Sequence, residues 1–438
     1  MRRLFTSIAL VSFAIASFAG GLLTNTNQSA SFVRNPARFA SLETDAIYFN
    51  PAGTAFFKEG WAFSVNWQMI WQDRDVVNSG KTYKGEVYVP CMPTLFAAYK
   101  TGDWTFSGFF GMPGGGGNAK FDNGLPMFNQ MGAGLAQTIN PALSAASKFE
   151  STQYLFSLQL GAAYKINDNL SAYAGIRGNY TSLSYEGSIN AIHPANGSNV
   201  ANILALDLTQ TGIAFAPILG IDYKVGNFNF AAKYEFRAIN NIENDTKDFS
   251  SEALGNMLGT TNLNGVLGNL AAHPLFGPVA SKLVSLEDGQ KFRYDAPATL
   301  TLAASWDIID RVKVMAGYNY YFDKDAKIES LIGKANTMQA LTRNTYEILG
   351  GVEVKVTDKL LLSAGVQFSD FGVNERYLSD VSFIDDSFMT GVGAKYSFNE
   401  NWDLNAGFCY ANYAHGVSGA SKYLRKTYNA SVGVDFRF

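Results

Sequence analysis

The chain has 438 residues, a net charge of -3 and 16% charged residues, against 14% aromatics and 42 glycines. The near-balanced charge excludes a partner recognised mainly by charge, such as nucleic acid. Few charges with many aromatics, and glycine above its usual ~7% share, do not suit a water-soluble enzyme of this size and do suit a sheet with one face against lipid.

The chain opens with Arg2 and Arg3, an apolar run over 8–16, and the small-x-small triplet Ser17-Phe18-Ala19. This reads as a secretory signal peptide over 1–19, cleaved after Ala19. Beyond it no apolar run approaches the ~20 residues of a spanning helix. Residues 20–60 show no alternation, and the barrel begins at residue 61. About forty residues are too few for a core of their own, so they are placed inside the barrel as a plug.

From residue 61 to 438 the pattern is period two, the signature of strands with one apolar face. Trp61, Phe63, Val65, Trp67, Met69 and Trp71 share a face, as do Tyr154, Phe156, Leu158, Leu160, Ala162 and Tyr164. Phe228, Phe230, Ala232, Tyr234 and Phe236 repeat it, and so do the stretches 360–368 and 402–410. Short links near Gly102, Asp168, Gly226, Ile308, Asp358 and Glu400 alternate with longer connections. Short turns at one end and long loops at the other define an outer-membrane barrel. The expected fold is therefore all-β, a transmembrane antiparallel β-barrel of about 14 strands with an N-terminal hatch in its lumen. An even count puts both chain ends on the periplasmic side.

Within this frame some stretches stand out. Pro113 followed by Gly114, Gly115, Gly116 and Gly117 falls in the outer part of the third strand. The run lacks the Gly-Lys-Ser/Thr ending of a phosphate loop. Proline removes a ladder donor and glycine weakens or bends a strand, so a kink or gap in the wall is expected. The loop 121–148 carries Leu125, Met127, Phe128, Met131, Leu135, Ile139 and Leu143 at helical spacing, and 250–285 is similarly apolar. Apolar residues on the wet side of a barrel mark a capture site for apolar ligands. The alternation assigns Arg177, Lys233, Glu235, Arg237, Arg293, Lys313, Arg343 and Glu347 to the lumen. The last strand ends on Phe438 and must pair with the first to remove both edges. Three histidines (His193, His273, His415) and two cysteines (Cys91, Cys409), all far apart, give no readable metal site, catalytic constellation or disulfide framework.

The stretch Asp45 to Gly53, with Asn50, Pro51 and Ala52 at its centre, resembles the Asn-Pro-Ala hatch motif of the FadL family of outer-membrane channels. The earlier Asn35-Pro36-Ala37 lacks the Asp-Ala lead-in and reads as coincidental. Residues 89–113 and 153–180 are similar to further strands of that family. The resemblance implies passive, cofactor-free transport of long-chain fatty acids or aromatic hydrocarbons, no enzymatic activity, and lateral release through a kink in the third strand. It implies ligand contacts for Leu22 at the mature N-terminus, for the loop residues Leu125, Phe128, Met131 and Leu135, and for Lys327. The family's other basic position falls on Ser182, a departure, and the nearby Arg177 is the candidate ligand contact in its place. Phe438 resembles the assembly signal read by the barrel assembly machinery. The expected setting is the bacterial outer membrane, as a monomer in contact with its lipid. A general diffusion porin for small hydrophilic solutes is the alternative, and use of the loops as a receptor stays open.

Overall fold

The computed structural model describes residues 27–253, 260–265, 286–330 and 334–438. The expected signal peptide and Leu22 lie outside these residues, as does most of the apolar stretch 250–285.

In chain order the first strands are β1 (Gly60–Asn78), β2 (Lys81–Tyr83), β3 (Glu86–Thr101), β4 (Trp104–Phe121), β5 (Ser144–Lys165) and β6 (Leu170–Ile192). Next come β7 (Asn199–Val225), β8 (Phe228–Glu235), β9 (Asn241–Ser250), β10 (Lys291–Arg293), β11 (Thr299–Ile309) and β12 (Val312–Tyr321). The last are β13 (Tyr346–Lys355), β14 (Leu360–Asp370), β15 (Ser387–Ser397), β16 (Trp402–Tyr413), β17 (Val417–Ser418) and β18 (Ser421–Arg437). Fourteen of them form a closed antiparallel wall: β1, β3 to β8, β11 to β16, and β18. The others extend or decorate the loop side. Closure is continuous, from Ala62 opposite Arg437 to Asn78 opposite Ser421.

The alternation read from the sequence is the alternation of the wall. Val65, Trp67, Leu158, Leu160, Phe228, Phe230 and Val432 are exposed on the outer face, a band that lipid must cover. Their neighbours Asn66, Gln68, Ser157, Gln159 and Ser431 face inward and are buried. The short links expected near Gly102, Asp168, Gly226, Ile308, Asp358 and Glu400 all join strands at the same end. The seam is finished there by Phe438, whose N–H donates to the Trp61 carbonyl at 3.0 Å and whose carbonyl accepts from Trp61 N–H at 2.7 Å. Gly60, at φ +106°, leaves no room for a Cβ against that terminal carbonyl.

The lumen is filled by the N-terminal segment: α1 (Ala30–Arg34), α2 (Ala46–Phe49) and a 3-10 turn, Pro51–Phe56. These helices are too short to be stable alone, so wall contacts hold them. Phe32 stacks on Phe49 at 5.2 Å and Phe39 meets Phe49 edge-on at 5.2 Å, giving the hatch a small aromatic centre. A further helix, α3 (Pro126–Ile139), crosses the loop side and packs on β5 and β6.

The lumen assignments need correction at the rim. Lys233, Glu235, Arg177 and Glu347 are buried inside, as expected. Arg237 follows the end of β8, is exposed, and donates to the Asp325 carbonyl. Arg343 sits in the loop before β13 and pairs with Asp370, with 56% of its side chain exposed. Arg293 lies in β10 next to the buried Phe292, half-exposed and paired with Asp295. All of these lie where the regular wall has ended, so strand parity carried past its end misplaces them.

Candidate functional site

The hatch is tied down by charge. Arg34 and Arg38 are completely buried and converge on Glu353 of β13, at 2.7 and 2.8 Å. Arg38 also reaches Asp45 at 2.9 Å and Glu43 at 2.6 Å, and Lys395 of β15 closes the ring on Glu43. Burial alone would push the Glu43 carboxyl up, but Lys395, Arg38 and Arg34 hold it well below the usual carboxylate range. Asp45 additionally accepts from Ser29 Oγ at 3.1 Å. The sequence gives no local sign of the wall partners Glu353 and Lys395, which lie hundreds of residues from the hatch.

The motif residues are held as tightly. The Asn50 amide donates to the Ser41 carbonyl at 3.1 Å and to Asp222 on β7, and its oxygen accepts from Gly53 N–H at 3.4 Å. A Cβ on Gly53 would sit 2.5 Å from Asn50 Nδ2 and 2.7 Å from Leu42. Pro51 opens the 3-10 turn, where its missing N–H costs nothing. The Ala52 carbonyl accepts from Ser171 Oγ at 2.8 Å. The Asn-Pro-Ala at 35–37, set aside as coincidental in the sequence, is also closely held. Asn35, Pro36 and Arg34 lie against inward-facing glycines of the wall: a Cβ at Gly365 would meet Asn35 at 2.6 Å, and one at Gly393 would meet Arg34 Cβ at 2.7 Å. Small residues in one register of β13 to β16 make the groove that seats the hatch.

Arg177 belongs to this assembly. It pairs with Glu235 at 2.8 Å, donates to Gln159 at 2.6 Å, and lies 4.5 Å from the centre of the Tyr48 ring. Its partners are hatch and wall. Lys327 lies beyond the outer end of β12, pairs with Glu329 at 2.7 Å, and is 45% exposed.

The wall itself is interrupted between β3 and β4. Glu86 pairs with Lys120 and Val87 with Ala119, and the ladder resumes only at Leu95 opposite Phe110. On the other side β4 stays paired with β5 through two irregularities, between Gly111 and Gly114 and between Gly115 and Gly117. Gly115 (φ +112°) and Gly117 (φ +73°) adopt backbone that other residues rarely take, and this swings β4 away from β3. The facing edge of β3 carries Pro90 and Pro93, neither able to donate a ladder bond. Pro113 on the β4 lip was legible in the sequence; its counterparts Pro90 and Pro93 on the β3 lip were the signal left unused.

A cavity of about 100 Å³ lies inside this interruption. Its lining is largely apolar, with Ile70, Val89, Met92, Met112, Met389 and the glycines 114–117, but also carries Gln72, Arg425, Thr427 and Asn429, and it reaches Tyr154, a member of the outward-facing set of β5. A second cavity of about 50 Å³ adjoins it across Gly115, Gly116, Gly117 and Arg425. The loop residues expected to capture ligand have a different disposition from an open groove. Leu125, Phe128, Met131 and Leu135 are on or beside α3, and all are buried, with Phe128 5.2 Å from the Phe149 ring. The helical spacing was legible; the packed side was not, because β5 and β6 rise far enough to cover it.

A closed antiparallel barrel with an apolar belt, a charged hatch locked in its lumen and a broken ladder beside an apolar cavity defines a plugged outer-membrane transport protein. The chain belongs to the outer membrane protein transport protein family (OMPP1/FadL/TodX), whose family model matches residues 10–433. No curated protein matches the sequence. Among solved structures, the chain is similar to a Pseudomonas aeruginosa FadL homologue, with 17% identity, TM-score 0.70, and 96% of this chain and 100% of that chain covered. It is also similar to the Pseudomonas putida toluene transporter TodX, with 15% identity, TM-score 0.59, and coverages of 97% and 100%. The Ralstonia pickettii toluene transporter TbuX gives 15% identity, TM-score 0.57, and the same coverages. At these identities the likeness is one of fold.

Proposed function

We propose that the protein carries hydrophobic compounds, long-chain fatty acids or aromatic hydrocarbons, passively across the outer membrane and releases them sideways between β3 and β4. The observation that carries this reading is the interrupted ladder beside an apolar cavity. A hydrophobic solute gains by moving from the lumen directly into lipid and has no reason to cross the hatch. The fold likeness to toluene transporters supports the same class of cargo. In this reading α3, with Leu125, Phe128, Met131 and Leu135 on its apolar side, and Lys327 at the rim form the entrance. Leu22 stays a candidate contact by family resemblance. Arg177 serves the hatch. The protein acts as a monomer against outer-membrane lipid, and Phe438 is its signal to the assembly machinery.

Gly116 is the position to test. A Cβ there meets only Arg74 Nη1 at 3.3 Å, and its φ is ordinary, whereas Gly115 and Gly117 would be strained by any side chain. Cells dependent on the protein for uptake should lose uptake of radiolabelled oleate or toluene on Gly116→Trp, while the barrel still shows its heat-dependent gel shift. Undiminished uptake by a folded G116W barrel would refute lateral release.

A further inference from the structure

We infer that Arg74 and Arg425 form an anion-recognition site at the outer end of the apolar cavity, so that the cargo is an amphiphile with a carboxylate or similar acidic head. This inference rests on the transport reading and specifies its ligand. The two arginines are direct register partners across the β1–β18 seam, and by strand parity both face the lumen. Like charges directly opposite each other destabilise a sheet. Half-buried guanidinium groups normally find a carboxylate. Here neither has an ion pair among the described residues, whereas Arg34, Arg38, Arg177, Arg293 and Arg343 each do. The neighbouring acids Asp73 and Asp75 alternate to the other face of β1.

What surrounds the pair is aromatic and neutral. Arg74 lies 5.1 Å from the Phe383 ring centre and Arg425 lies 4.5 Å from that of Tyr413. Arg425 donates to Gln72 Oε1 at 3.0 Å, and the Nε of both arginines is buried without an acceptor. Both line the smaller cavity with Ser151, Thr152 and Gln153, and Arg425 also lines the larger one. The forked guanidinium matches a carboxylate in two bonds at once. From that point an apolar body would extend between Ile70, Val89, Met92, Met112 and Met389, where thioether side chains adapt to its shape. The glycine run borders both cavities, so a head held by the arginines leaves the tail beside the interrupted ladder.

The test is equilibrium binding of radiolabelled decanoate and of decan-1-ol to the full-length protein in a neutral detergent. The wild-type protein should bind decanoate about tenfold or more tightly than the alcohol. Arg425→Gln and Arg74→Gln should each remove that preference, so that decanoate and decanol bind alike. Equal affinity for the two probes in the wild type would overturn the inference without touching the transport reading, and needs no variant to fold. So would a preference that survives in both folded variants. Failure of the wild type to bind either probe would overturn the inference and count against the transport reading as well.

Discussion

Glu353 is the residue on which the hatch turns. It faces Arg34 and Arg38 together, with only 6% of its side chain exposed. Removing one partner of a buried pair costs about 3–5 kcal/mol, because the remaining charge stays buried without compensation. Glu353→Gln is therefore expected to loosen the hatch while sparing the wall. Its signature would be new ion current in planar bilayers from barrels of normal gel mobility; a silent E353Q channel would show that the remaining ties, Lys395 to Glu43 and Asn50 to Asp222 among them, suffice to hold the hatch. None of this was legible locally. Arg34 and Arg38 look like ordinary surface arginines in the sequence, and their partner is 319 positions from Arg34. The Asn50 motif was legible because its spacing is short-range, closing on Ser41 and Gly53 within a few residues.

Elements were easier to read than their contacts. Lipid imposes an apolar residue at every second position over the whole strand, so β1, β5, β8, β14 and β16 could be read directly. The same rule fails where the chain leaves the wall, at Arg237 and Arg343, and it cannot say which side of α3 is covered. The β12–β13 loop carries a pH prediction of its own. Asp323 accepts from Thr345 N–H at 3.0 Å and so ties the two ends of that loop together. Burial pushes its carboxyl up to about 6. A raised acid contributes most below its unfolded value, and that contribution is lost as pH rises through the folded value. The loop should thus become more sensitive to added protease as pH climbs through about 6, and Asp323→Asn should flatten the change. Equal cleavage across that range would remove Asp323 from the role.

As a whole, the molecule is a plugged tube with a side break. Purified protein in a planar bilayer should pass little steady current, since the aromatic and charged hatch leaves the lumen without a broad aqueous path. A steady ohmic conductance from intact barrels would favour the diffusion-porin alternative. Acid should change this late. The Glu43 carboxyl is held down by Lys395, Arg38 and Arg34 against the opposing effect of burial. Its contribution is present above the unfolded value and lost only as pH falls through the lower folded one. Current should therefore stay low through the ordinary carboxylate range and rise only in stronger acid.

The ring of charges around Glu43 also sets a timetable for birth. Its cations come from α1, the segment after it and β15, and Lys395 lies 352 positions beyond Glu43. A chain exported from its N-terminus delivers the hatch first and the wall charges Glu353 and Lys395 late. Until β13 and β15 arrive, Arg34 and Arg38 can pair only with Glu43 and Asp45 of the hatch itself, and nothing ties that cluster to the wall. The plug is therefore anchored to the wall only once β13 and β15 are in place, when most of the cylinder has already been made.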